Sequence, residues 1–267
     1  MSKFLNILLA FFIAAISFTC KKDKPAPPVI NGDCKISSIQ HYDDNNLDFT
    51  EVFTYDGNKR LIKASKESAD FNIAYTSDKI ILTHSDGAKT ELTLDNDKVT
   101  RADDSGGQYE TYRYNAEGYL TQIKHFYNAT VYDVTDITYN GDNLSTAVKV
   151  AFDQSRTVIT YEYSTELASS TLFIAEPLYA DLIGHFLPGI PFGKQSKNLK
   201  VKSRETYIEN DPINTSESEI IATFTYEKGA TGHYSAVHGK FKEIYSIAGR
   251  KLSDSWTERK DITYACD

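Results

Sequence analysis

The sequence predicts an all-β protein built as an antiparallel meander of hairpins. Three observations support this: tyrosines recur at a regular spacing, a polar turn follows each of them, and apolar and polar residues alternate after the turn. Successive repeats begin 19 to 25 residues apart. The repeats are marked by Tyr55, Tyr75, Leu94, Tyr114, Tyr139 and Tyr163.

Each repeat has the features of one β-hairpin. The turns are rich in Asn, Asp and Gly, as in "DGNKR", "TSDK", "DNDK", "NAEG" and "NGDN", residues that tolerate the backbone conformations of tight turns. Asp56-Gly57 and Asn140-Gly141 are strong hairpin signals. A single hairpin is marginal in water, so neighbouring hairpins must pair and share one core. Six repeats predict about twelve strands before the C-terminal part.

One segment departs from this pattern. "AEPLYADLIGHFLPGIPFG" carries apolar residues at helical spacing, and prolines stand at its start and end. We predict a short amphipathic helix at about residues 176–187. It would plug or cover the sheet, or else lie on the surface. Strand patterns resume afterwards, so residues 34–267 form a single domain, either a curved sheet or an incomplete or closed barrel.

The first 33 residues are predicted to be a targeting signal followed by a tether. Lys3 precedes an apolar run too short to span a bilayer, and the run ends at "SFTC". This resembles a bacterial lipoprotein signal, with residues 1–19 removed and Cys20 lipidated; the alternatives are an ordinary signal or an uncleaved anchor. Residues 20–33 are proline-rich and polar, which is typical of an extended tether.

The remaining cysteines, Cys34 and Cys266, lie at the two ends of the predicted domain. In an oxidising compartment a pair is expected, and it would join the first strand to the last. The alternative is two free thiols too far apart to bond. The chain has a net charge of −8. That charge argues against nucleic acid and against electrostatic docking on anionic lipid, so we expect membrane contact through the lipid anchor alone.

Two resemblances follow from these motifs. "YDGNKRL" and "YNAEGYLT" look like the YD/RHS-type tyrosine-aspartate repeats of large bacterial shell proteins, over these short stretches. A better match covers most of residues 34–267. The lipoprotein signal, the tyrosine-rich hairpins, a helix near "LPG", then "SKNL" and a terminal "Y-x-C" resemble the DUF4595 family of Bacteroidetes lipoproteins. That resemblance implies a porin-like β fold and no catalytic residues.

The sequence predicts no catalytic residue, no metal site and no cofactor. Its six histidines lack the spacing of a zinc site and are expected on strand surfaces. The acidic clusters suit turns better than calcium. Paired carboxylates of a hydrolase are spatial and leave no mark in the sequence.

The leading expectation is a non-catalytic lipoprotein of the outer envelope, anchored at the outer membrane and facing the periplasm or the cell surface. It would act as a binding or interaction scaffold for a glycan, a peptide or an envelope protein. A glycan- or peptide-binding surface would use exposed aromatic rings. The candidates are Tyr109, Tyr112, Tyr114, Tyr127 and Tyr132, although Tyr112 and Tyr114 also suit a core. A carboxylate-dependent hydrolase is the remaining alternative.

Overall fold

The computed structural model describes residues 34–66, 69–104, 106–168, 187–210, 217–230, 232–247 and 250–266. The predicted signal, Cys20, the tether and residues 176–186 of the predicted helix lie outside these ranges. The described residues contain no helix that could cross a membrane.

Sixteen antiparallel strands form one closed barrel in simple chain order. Each strand pairs with its sequence neighbours, and β1 pairs with β16 to close the ring. The predicted hairpin meander is therefore confirmed, and a closed barrel replaces the open alternatives. The strands are β1 Lys35–Asp43, β2 Asn46–Tyr55, β3 Leu61–Lys66, β4 Ala69–Tyr75, β5 Lys79–His84, β6 Lys89–Asp95, β7 Lys98–Asp104, β8 Gln108–Tyr114, β9 Leu120–Tyr127, β10 Thr130–Asn140, β11 Asn143–Ala151, β12 Arg156–Leu167, β13 Asn198–Ile208, β14 Glu217–Lys228, β15 Tyr234–Ile247 and β16 Arg250–Ala265.

Turn chemistry explains where the strands reverse. Asp44-Asn45, Asn96-Asp97 and Asn128-Ala129 are two-residue loops with positive φ at both residues. That geometry matches the twist of paired strands, and Asn and Asp adopt it at low cost. At Asp56 the carboxylate instead accepts hydrogen bonds from the backbone N–H groups of Asn58 and Arg60.

Three of the repeated tyrosines act as latches, because the hydroxyl of each bonds to the backbone of the preceding strand. Tyr55, at the end of β2, donates its hydroxyl to the carbonyl of Ile36 at 2.8 Å. Tyr75 does the same to Leu61 at 2.9 Å, and Tyr114 to Val99 at 2.6 Å. Each ring is packed against the core while its hydroxyl is satisfied by a backbone acceptor. The repeat is thus explained by core packing at one end of the barrel.

That end also carries the disulfide, and we call it the disulfide end. Cys34 and Cys266 are bonded beside the pairing of β1 with β16, which confirms the predicted link. The segment 187–197 crosses the same end and inserts Leu187, Ile190 and Phe192 into the core. Its backbone is held by hydrogen bonds from Val99 to Pro191 and from Lys194 to Gly118.

A glycine permits this close approach. Gly193 has a φ of +89°, and a Cβ there would lie 2.7 Å from the carbonyl oxygen of Gly118 and 2.8 Å from the ring of Tyr114. A larger residue is therefore excluded by both backbone conformation and space.

Candidate functional site

The interior of the barrel changes character along its axis. Near the disulfide end, inward side chains such as Leu61, Leu92 and Leu144 are fully buried in one apolar cluster. Toward the opposite end, which we call the far end, inward positions become polar: the side chain of Glu51 on β2 contacts that of His41 on β1, and Asp133 precedes the buried Ile137 on β10. Buried charges require partners or a ligand. The far end is therefore the candidate ligand site of the barrel.

A cavity of about 400 Å³ lies at this level, against the inner wall formed by β10 to β13. Its volume falls in the range of small-molecule sites. Carboxyls, a lysine, hydroxyls and two tyrosine rings line it above an apolar floor. The principal lining residues are Tyr132, Asp133, Lys149, Ile159, Glu205 and Tyr207. Tyr132 is 53% exposed, so the cavity reaches solvent. We call it the lumen pocket.

Asp133 is the most deeply buried charged group of the lumen pocket, at 4% exposure. Its Oδ2 lies 3.3 Å from Nζ of Lys149 and 3.4 Å from Nδ1 of His125. The same oxygen is fully buried and accepts no hydrogen bond of good geometry from the described residues. Such an acceptor leaves room for a donor that enters the pocket.

Glu205 has different surroundings. It lies on β13 between Ile159 of β12 and Ile220 of β14. Burial raises the pKa of its carboxyl, because an apolar environment disfavours the charged form. Asp133 therefore lies beside the Lys149 ammonium and the His125 ring, whereas Glu205 has apolar side chains on both sides.

A second charged cluster faces the interior from β16, β1, β2 and β3. His41 Nε2 lies 2.9 Å from Oε2 of Glu51, and the His41 ring stacks on Phe49. The Lys66 ammonium stands 3.7 Å from the centroid of that Phe49 ring. Burial lowers the pKa of Lys260, and Lys66 adds to the effect, although Glu258 and Glu51 oppose it. This cluster is largely self-compensated.

The predicted binding tyrosines do not form one patch. Tyr112 is 3% exposed and Tyr114 is packed against the core, both inside the barrel. Tyr109 stacks on Phe126 on the outer wall. Tyr127 and Tyr132 are exposed near the far end, and Tyr132 lines the lumen pocket.

The expectation that histidines are surface residues is wrong for several of them. His233 is buried, stacks on Tyr264 and lies beside the disulfide. The side chains of His41 and His125 are only 17% and 14% exposed. The error arises because a strand shows which residues share a face but not which face is inside. Since both sulfurs near His233 are in the disulfide, they are not thiolate ligands for a metal.

The lumen residues were missed although a signal was present. In "EVFTY", "YETYRY" and "DVTDITY" an acid stands in phase with the buried residues of the same strand, at Glu51, Glu110 and Asp133. Alternation places such an acid on the inner face. No comparable signal marks Glu205, whose strand "NLKVKSRETYI" alternates poorly.

Comparison with known proteins bears on the fold. No protein-family model matches the chain, and no curated protein matches it. DUF4595 membership therefore stays a prediction. A solved structure of a porin-like protein from Bacteroides uniformis matches with a TM-score of 0.60 at 17% identity, over 85% of this chain and 98% of that one. The two proteins share a fold. At this identity the likeness extends to architecture alone.

Proposed function

We propose that this protein is a non-catalytic, envelope-anchored lipoprotein whose barrel binds a small polar molecule in the lumen pocket. The observation that carries the proposal is the 400 Å³ cavity with the buried Oδ2 of Asp133 in its wall, an oxygen that lies near Lys149 but accepts no hydrogen bond from the described residues. A donor from a ligand would satisfy that oxygen, and the apolar floor would accommodate the ligand's carbon skeleton.

The architecture favours a cup over a through-channel. At the disulfide end, side chains from all around the barrel meet in one apolar cluster, and Leu187, Ile190 and Phe192 of the segment 187–197 complete it. A molecule entering from the far end would meet this cluster as a floor.

The outer wall supports a barrel that stands outside the bilayer. On β16 the outward positions are polar: Lys251, Ser253, Ser255, Thr257, Arg259, Asp261 and Thr263. Cross-strand ion pairs such as Lys79–Glu91 and Lys202–Glu162 continue this surface. A membrane-spanning barrel has the reverse arrangement, with an apolar outward band. A lipid on Cys20 would then attach the protein to the outer membrane through the tether of residues 20–33.

The test is a ligand screen on the full chain purified in detergent. A panel of sugars, amino acids, short peptides and polyamines would be examined by thermal shift and then by calorimetry. A ligand that binds the folded state alone raises stability by about 2.7 kcal/mol at a hundredfold excess over its Kd. We expect at least one compound class to do so.

A matched pair of variants assigns the shift to the lumen pocket. Asp133→Asn should abolish it, because Asp133 lines the pocket. Asp136→Asn should preserve it, because Asp136 is exposed on the outer face of the same strand, where Gln122 donates a hydrogen bond to it. Equal shifts in both variants, or no shift across the panel, would refute a ligand-binding lumen.

One observation favours a second candidate, a carboxylate-dependent hydrolase. Asp133 and Glu205 line one pocket in contrasting environments, the first beside the Lys149 ammonium and the second between two isoleucines. Contrasting environments separate the roles of two carboxyls in glycoside hydrolysis. Release of nitrophenol from nitrophenyl glycosides, lost in both Asp133→Asn and Glu205→Gln, would support it. No release from wild-type protein would exclude hydrolysis of those glycosides.

A further inference from the structure

The geometry points to a specific class of ligand: a small polar molecule that presents a cationic nitrogen, an amine or guanidinium, to Glu205. This inference rests on the proposed ligand-binding function of the lumen pocket and adds the charge that the ligand must carry.

The first step is the charge balance within the pocket. Lys149 lies 3.3 Å from Asp133, so the positive charge of the pocket is already directed at that carboxylate. His125 approaches the same carboxylate from the other side. No described residue forms an ion pair with Glu205, whose strand neighbours at this level are Ile159 and Ile220.

The second step is the wall beyond Glu205. Ile220 of β14 pairs with Glu243 of β15, and Glu243 pairs with Asp254 of β16. Cross-strand partners project to the same side of a sheet. Three acids, Glu205, Glu243 and Asp254, therefore lie at one level of the inner wall, with Ile220 between the first two. Tyr245 donates a hydrogen bond to Asp254 at 3.0 Å, which leaves the negative charge of the row in place.

The third step is the aromatic lining. Tyr207 is two residues from Glu205 on β13 and lines the same pocket, as does Tyr132. Tyrosine faces attract cations through their quadrupole, and the attraction grows as water is excluded. Carboxyl and ring together fit an ammonium or guanidinium group. The apolar flanks of Glu205 strengthen its electrostatic pull on a cation that enters.

The burial of Glu205 is consistent with this assignment. Its pKa is raised because the apolar surroundings disfavour the bare carboxylate. An arriving cation would stabilise the ionised form. The unliganded protein therefore holds a carboxyl in an unfavourable environment that a cationic ligand relieves.

The test compares cationic probe molecules with neutral analogues of similar shape. Glucosamine, argininamide and spermidine would be titrated into the full chain in detergent, alongside N-acetylglucosamine, citrullinamide and fully acetylated spermidine. The protein's single tryptophan, Trp256, faces the interior two residues from Asp254 and stacks on Phe241. Its fluorescence serves as one readout and calorimetry as the other.

We expect at least one cationic probe to bind ten times more tightly than its neutral counterpart, and Glu205→Gln to remove that preference. The control Glu219→Gln alters a carboxylate that pairs with Arg204 on the outer wall of the neighbouring strand, so it should leave the preference unchanged. Because Glu205→Gln replaces an uncompensated carboxyl by an isosteric amide, its unliganded melting temperature should be no lower than that of the wild type.

The outcomes separate this inference from the proposed function. Neutral and cationic probes that bind equally, with binding lost in Asp133→Asn, would keep the ligand-binding lumen and overturn the cationic ligand. A preference that persists in Glu205→Gln would overturn the role of Glu205. No binding by any probe would overturn the cationic ligand, and only a full screen without a shift would remove the proposed function as well.

Discussion

The disulfide between Cys34 and Cys266 offers the sharpest test of how the barrel is held closed. The two residues are separated by 232 positions. In the chain-entropy model, a cross-link over a loop of this length lowers the entropy of the unfolded chain by about 18 cal/mol/K. That corresponds to about 5 kcal/mol of folding stability at 25 °C.

The structure gives this loop a specific meaning. The cross-link lies next to the Lys35–Ala265 pair, where β1 meets β16. Without it, closure requires the two ends of the chain to find each other through strand pairing alone. We therefore expect loss of the disulfide to lower the free energy of unfolding of the whole barrel. The reason is that the entropy cost of bringing the chain ends together then falls on the β1–β16 pairing, which closes the ring.

The assay is urea unfolding of the full chain in detergent, followed by circular dichroism and by Trp256 fluorescence. Oxidised protein, protein reduced with dithiothreitol, and the Cys34→Ala/Cys266→Ala double variant would be compared. Reduction changes no side-chain volume, so it controls for the packing lost when Cys34, which is 1% exposed, becomes alanine.

Both forms without the disulfide should unfold at a clearly lower urea concentration than the oxidised protein. Their free energy of unfolding should be lower by up to about 5 kcal/mol. A difference below about 1 kcal/mol in both forms would refute the reasoning. It would show that strand pairing between β1 and β16 closes the barrel without help from the covalent link.

Three further predictions follow from the disulfide end. Gly193→Ala should lower the free energy of unfolding in urea by roughly 2 kcal/mol or more, because a Cβ would clash with Gly118 and Tyr114 at positive φ. Gly57→Ala is the control, since Gly57 has open space around it. Equal stabilities of the two variants would contradict the proposed clash. Tyr75→Phe should cost about 1 kcal/mol through the lost hydrogen bond to Leu61, whereas Tyr127→Phe, at an exposed ring, should be neutral; a neutral Tyr75→Phe would argue against the latch. Burial raises the pKa values of Tyr55, Tyr114 and Tyr226 in the folded protein. A raised pKa in the folded state means that ionisation of these tyrosines favours unfolding. Stability should therefore be intact below about pH 10 and fall as the pH rises above it. Phenolate absorbance should therefore show tyrosines that ionise together with unfolding, and independent ionisation of all tyrosines near pH 10 would contradict their burial.

Local sequence patterns predicted the strands well because their causes are local. Alternation and turn residues act over a few positions, so "NGDN" and "DNDK" place their hairpins correctly. The tyrosine repeat also has a local cause: Tyr55, Tyr75 and Tyr114 each donate a hydrogen bond to a carbonyl of the preceding strand. The cysteine pair was predicted because its chemistry requires little besides an oxidising compartment and two ends that meet.

The tertiary structure decided what lies inside the closed ring. The pairing of β1 with β16 closes the ring, and Phe192 of the segment 187–197 enters the core at the end of that ring. The contact of Asp133 with Lys149 depends on the register of β10 and β11. Asp133 was missed from the sequence although it stands in phase with Ile137 on β10. Nothing in the sequence placed Glu205 in the same pocket or next to Ile220. The physical reason is that alternation fixes which residues share a face, whereas only the closed barrel determines which face is enclosed and which charges converge within it.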